Sequence, residues 1–168
     1  MSDRRVLLGD EPLQRPPLRQ SPDFGWYLIG WIGLVFAIVG GFDLMLTWYP
    51  LNFASPEWEF GTVSAMLDGL PVPTLGCVLL LGAGVARGKR WLVRTMAIVL
   101  LALAFMILAA AFLYVTTVPM ALQSVPEPAI RTGLKKAIAK TSVQAVVYPL
   151  AYVWIALKAW AHSSARDV

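Results

Sequence analysis

From Thr95 to Val118 the chain runs for 24 residues without a charged side chain, through LLALAFMILAAAFLYV. A helix of that length rises ~36 Å at 1.5 Å per residue, more than the ~30 Å of hydrocarbon in a bilayer. Further apolar runs flank it. The chain is 58% hydrophobic and only 14% charged, against about 25% charged in a soluble domain. These runs predict an all-α integral membrane protein with four transmembrane helices, at about 24–49, 72–86, 92–118 and 142–160. Residues 24–162 then form one transmembrane domain. Residues 1–23 read as a flexible cytoplasmic tail and 163–168 as a short polar tail.

The tail assignment follows from composition. Residues 1–23 hold Pro12, Pro16, Pro17 and Pro22 among mixed charges, too little apolar surface to offset the entropy of ordering. The apolar run after it is too long for a signal-peptide core and lacks a small-x-small cleavage site, so an uncleaved first span is expected. Trp26, Tyr27 and Trp31 mark one end of that span and Trp48 and Tyr49 the other, as interfacial aromatic belts do.

Gly33, Ala37 and Gly41 recur every four residues in this span. Such a stripe of small residues lets another helix approach closely, so these three are the expected packing interface. Asp43 is the polar residue inside the span, ~7 Å from Trp48 along the axis. An ionisable group at such a depth seeks a partner. Three roles are open to it: a proton or cation site, a contact to another subunit, or a carboxylate bonded to water and the nearby loop.

The connection from Pro50 to Gly76 contains no Lys or Arg but holds Glu57, Glu59 and Asp68. Ser55 followed by Pro56 is a helix-start pattern, with the two glutamates near the positive end of the helix dipole. Phe60, Val63, Leu67 and Leu70 fall on one side. A short amphipathic helix lying on the membrane surface is predicted, ended by Asp68-Gly69 and kept from the next span by Pro71 and Pro73. In the second outer connection Pro119, Pro126 and Pro128 are expected to break the third helix. AIRTGLKKAIAK then reads as a second interfacial helix. Its Arg131, Lys135, Lys136 and Lys140 are placed to meet anionic lipid headgroups or an acidic partner.

Orientation follows from basic residues. With the N-terminus inside, ten of the fourteen Lys and Arg fall on the tails and the middle loop, including Arg87, Lys89, Arg90 and Arg94. The positive-inside rule places both termini in the cytoplasm, in a bacterial inner membrane (cytoplasmic or intracytoplasmic).

The chemistry is sparse. A single Cys (Cys77) excludes a disulfide within the chain, and no Ser-His-Asp or Cys-His set is expected around the single His (His162). Cys77 reads as a packing residue. GAGVARG ends a membrane helix and is not a phosphate loop. No cofactor, no metal and no nucleic-acid partner is expected; the partners are membrane lipids and other integral membrane subunits.

The run from Pro50 to Leu81 resembles HpsJ-like membrane proteins, accessory proteins linked to hormogonium polysaccharide and exosortase systems. In that family a span is followed by an N-P-x-W loop, a short helix and a VP-x-x-G start to the next span. Here Ser55, Pro56, Glu57 and Trp58 stand at the first motif, and Val72, Pro73 and Gly76 at the second. The second outer loop is much shorter than the family's long, charged segment. The resemblance implies an envelope-associated accessory protein and carries no catalytic residues.

The expected function is therefore a non-catalytic accessory or scaffold subunit of a larger membrane assembly, for polysaccharide or exosortase-type export. The alternatives are a peripheral stabilising subunit of a photosynthetic or respiratory complex, and a small transporter or proton-conducting protein using Asp43.

Overall fold

The structure, a computed structural model, describes residues 24–52, 55–124 and 128–164. The expected N-terminal tail, Pro126 and the last four residues lie outside these. The described elements are five helices: α1 (Phe24–Thr47), α2 (Pro56–Gly69), α3 (Pro71–Ala86), α4 (Arg90–Ser124) and α5 (Pro128–Ser164). Four stretches are long and apolar enough to cross a membrane: Phe24–Thr47, Glu57–Ala86, Arg90–Met120 and Ile130–Ser164.

The second stretch joins α2 to α3, and here the structure departs from the expected surface helix and sharp turn. Ser55 does cap α2: its hydroxyl accepts from the Trp58 N–H at 3.3 Å, with Pro56 in the first turn. Asp68-Gly69 does not end the run. Leu70 keeps helical dihedrals (φ −55°, ψ −32°), and the ladder continues from Leu70 N–H to Met66 O and from Thr74 N–H to Leu70 O, both 3.1 Å. Pro71 and Pro73 each remove one donor, yet their fixed φ suits a helix.

Burial holds the rod together across that junction. Val63, Met66, Leu67 and Leu70 recur at i, i+3, i+4 and i+7 and are all buried, the pattern of a helix with one face in a core. The apolar stripe seen in the sequence is real, but it packs among helices, chiefly α4.

The other prolines behave similarly. Pro119 lies inside α4 and Pro149 inside α5. Pro119 therefore does not break the third helix, which continues to Ser124. The basic segment is no separate interfacial helix either: AIRTGLKKAIAK forms the first turns of α5, opened by Pro128. Both expected surface helices are thus end extensions of longer helices.

Gly88 allows the tight reversal between α3 and α4, with φ 64°. Lys89 N–H bonds Gly84 O at 2.8 Å and Gly88 N–H bonds Val85 O at 3.2 Å, the paired bonds of a Schellman cap.

The packing order is α1 on α3, α3 and α2 on α4, and α4 on α5. Met66, Leu70, Leu100, Ile107 and Tyr152 are fully buried at its centre. The α1–α3 contact is made by small residues. A Cβ on Gly33 would lie 2.9 Å from Leu79 Cβ and 3.0 Å from Gly76 O; Gly40 abuts Pro73, and Gly76 abuts the Ala37 backbone. Gly41 faces open space, with nothing within 4 Å of a Cβ built there. The packing stripe is Gly33, Ala37 and Gly40, one residue away from the expected third member.

Gly76→Leu is expected to cost about 1–3 kcal/mol through overpacking, and Gly41→Leu less than about 0.5 kcal/mol. Thermal unfolding in a mild detergent separates them; equal losses would contradict the assignment of the contact face.

Candidate functional site

On α5 the residues Lys140, Gln144, Tyr148 and Tyr152 recur every four positions and so share a face. They meet polar residues of the α2–α3 rod. Lys140 Nζ lies 2.7 Å from Asp68 Oδ1 and 2.8 Å from Oδ2. Gln144 donates its Nε2 to Asp68 Oδ1 at 3.1 Å. One turn earlier on α2, the Ser64 and Thr141 hydroxyls are 3.2 Å apart, and Thr141 is buried. From α4, Tyr114 stacks on Phe60 with centroids 5.3 Å apart, at the same end of the bundle.

The polar line continues along α3. Thr74 donates to Leu70 O at 2.6 Å and is hydrogen-bonded to the Tyr152 hydroxyl. Tyr152 is buried and lies parallel to Tyr148, their rings 6.1 Å apart. Ser64, Asp68 and Thr74 thus face Lys140, Thr141, Gln144 and Tyr152, forming a polar seam between two helices otherwise joined by few contacts.

Magnitudes show what such a seam does. Interhelical hydrogen bonds between membrane helices contribute about 0.6 kcal/mol on average and at most about 1.7. The Asp68 and Lys140 side chains are 45% and 59% exposed, so solvent screening holds their pair to about 1 kcal/mol or less. The seam fixes the rotation and register of α5 against the rod more than it adds stability.

The other sequence-predicted residues scatter. Asp43 is exposed on α1 and lies beside the rod's junction, where a Cβ on Gly69 would sit 3.4 Å from its Oδ2. Its carbonyl accepts from the Thr47 hydroxyl at 2.9 Å. Trp58 meets Trp48 edge-to-face at 6.1 Å, tying the end of α1 to the start of α2, while Glu57 stands exposed in the first turn. Val72 is 41% exposed, whereas Pro73 and Gly76 are the points where α1 seats. Arg131, Lys135 and Lys136 are exposed on the first turns of α5. Lys140, grouped with them in the sequence and likewise exposed, pairs with Asp68.

At the opposite end, the Arg87 guanidinium lies 3.7 Å over the Tyr27 ring. Arg94 Nε donates to Ser163 Oγ at 3.5 Å, joining the start of α4 to the end of α5. Among the described residues, no group of three or more His, Cys, Asp or Glu is placed to hold a metal ion.

Sequence reasoning missed the Asp68–Lys140–Gln144 cluster. A signal for it exists: the second and fourth predicted spans start from the same side, with Asp68 and Lys140 a few residues before them. Comparison with protein-family models, curated proteins and solved structures finds no match.

In a double-mutant cycle, Thr74→Ala and Tyr152→Phe are expected to couple by about 0.6–1.7 kcal/mol, and Asp68→Asn with Lys140→Met by about 0.2–1 kcal/mol. Unfolding of each variant in detergent gives both values. Additive losses within each pair would remove the seam as a helix lock.

Proposed function

We propose that this chain is a non-catalytic accessory or scaffold subunit of a larger membrane assembly in a bacterial inner membrane. Its four long apolar helices, with aromatic and basic residues gathered at their ends, support the membrane setting. The Lys and Arg distribution supports cytoplasmic termini.

The observation that carries the scaffold reading is a projection at one end of the bundle. Helix α4 has 35 residues and α5 has 37, or ~52 and ~55 Å at 1.5 Å per residue, well beyond the ~30 Å of hydrocarbon. The excess, together with α2, forms a cap joined by the Phe60–Tyr114 stack and the Asp68–Lys140 pair. The cap exposes Arg131, Lys135 and Lys136 on one helix, an edge suited to an acidic partner surface or anionic headgroups. Seated this way, α2 and the start of α5 flank the outer interface without lying flat on it.

The resemblance to HpsJ-like proteins directs the proposal toward polysaccharide or exosortase-type export. Pro73 and Gly76, two of the residues that carry it, are also the seat of α1, so that motif has a packing role independent of any partner. A second reading, a small proton-conducting protein or transporter, draws on Asp43 beside Gly69.

Extraction in a gentle detergent, followed by native-gel mass determination, is expected to find the chain in a complex several times its 18.4 kDa mass. The charge-reversed Arg131→Glu/Lys135→Glu/Lys136→Glu variant should release it. A monomeric wild type would contradict the subunit reading. Asp43→Asn is expected to leave the complex intact; loss of a proton flux in reconstituted vesicles on that substitution would favour transport instead.

A further inference from the structure

Helix α1 rests on α3 and leaves a furrow between itself and α4. At the Arg87 end this furrow widens into a hollow of about 360 Å³, within the roughly 300–1,000 Å³ usual for a small-molecule site. Small residues make the space: a Cβ on Gly30 would come only to 3.7 Å from Ala83 Cβ. Leu34 and Leu80 line its deep end, and Tyr27, Trp31, Trp91 and Arg87 its mouth.

The polarity runs one way. From Tyr27 to Leu34 is ~10 Å along α1 at 1.5 Å per residue, all of it uncharged after the mouth. The mouth carries the Arg87 guanidinium, held over Tyr27 at 3.7 Å. Arg87 also caps the C-terminus of α3, where the helix dipole favours a cation. Lys89 and Arg90 follow after Gly88 in the chain. A planar guanidinium with forked donors is suited to phosphate oxygens, and two tryptophans and a tyrosine around it match the level of lipid headgroups.

We propose that this hollow binds one anionic glycerophospholipid, its phosphate on Arg87 and one acyl chain running past Leu34 toward Leu80. A helix of a partner subunit is the competing occupant, but it fits the observations less well. Close helix approach uses small residues, and the small stripe of α1 is already spent on α3. The furrow face of α1 carries one small residue, Gly30, among Tyr27, Trp31 and Leu34, whose bulk holds a second helix off. The site is separate from the exposed basic edge at the other end of the bundle. It rests on the membrane reading alone, not on the scaffold reading.

The test uses the full chain in nanodiscs of equimolar phosphatidylglycerol and phosphatidylcholine, with native mass spectrometry of the released protein. Wild type is expected to retain one phosphatidylglycerol at about fivefold over phosphatidylcholine, the worth of one basic side chain near an anionic headgroup. Arg87→Gln should bring that ratio close to one, Arg87→Lys should keep most of it, and Arg131→Gln/Lys135→Gln should leave it unchanged. Equal retention of both lipids by wild type, or an unchanged ratio in Arg87→Gln, would overturn the site. So would a crosslink from Leu34→Cys to another polypeptide. Any of these results from protein that still needs detergent for extraction leaves the membrane reading standing.

Discussion

The rod from Pro56 to Ala86 is the element against which the rest is arranged. It survives two prolines because Leu70, directly before them, holds a helical conformation. The buried Met66, Leu67 and Leu70 side chains make leaving it costly. Fully burying one such side chain is worth about 1.5–3 kcal/mol in an aqueous setting, the same order as the two backbone bonds the prolines remove. With the rod intact, α1 seats on one side of it and α4 on another, while α5 meets its upper half across the polar seam.

Much of this architecture was legible from residue order. The four apolar runs, the Ser55 cap and the helix end at GAGVARG each rest on local chemistry, and local chemistry is what a sequence displays. The helix extensions were not legible in the same way. Proline signals a stop by its missing donor, and whether that loss matters depends on tertiary burial. Around Pro71 that burial comes from α4, a partner that residue order does not display. The packing stripe shows a related limit: Gly40 and Gly41 are both helical neighbours of Ala37, and only the direction of α3 selects between them. Asp68 and Lys140 stand 72 positions apart, so their pairing depends on topology, though the shared side of their predicted spans pointed to it.

The polar groups divide by depth as well as by partner. At the capped end the charged and amide groups, Asp68, Lys140 and Gln144, are partly open to solvent, while the buried Thr141 there pairs with the Ser64 hydroxyl. Deeper in the bundle the polar groups are hydroxyls, Thr74 and Tyr152, which can satisfy one another without carrying charge. That gradient is what an ordering of desolvation costs would produce, since a buried charge is far more expensive than a buried hydroxyl. It assigns the seam a structural role in aligning α5 and leaves Asp43, on the far side of the rod's junction, as the carboxylate outside that alignment.

Helix α1 spans 24 residues while its neighbours across the rod span 35 and 37. The molecule is consequently low on one flank and tall on the other. The added length of α4 and α5 carries the polar cap beyond their apolar stretches, so in a bilayer it would stand above the headgroups on one flank and leave the other flank level with them. Such a body has a compass bearing in the plane of the membrane: neighbours of different stature would settle against different flanks, sorted by height before any residue-level recognition begins.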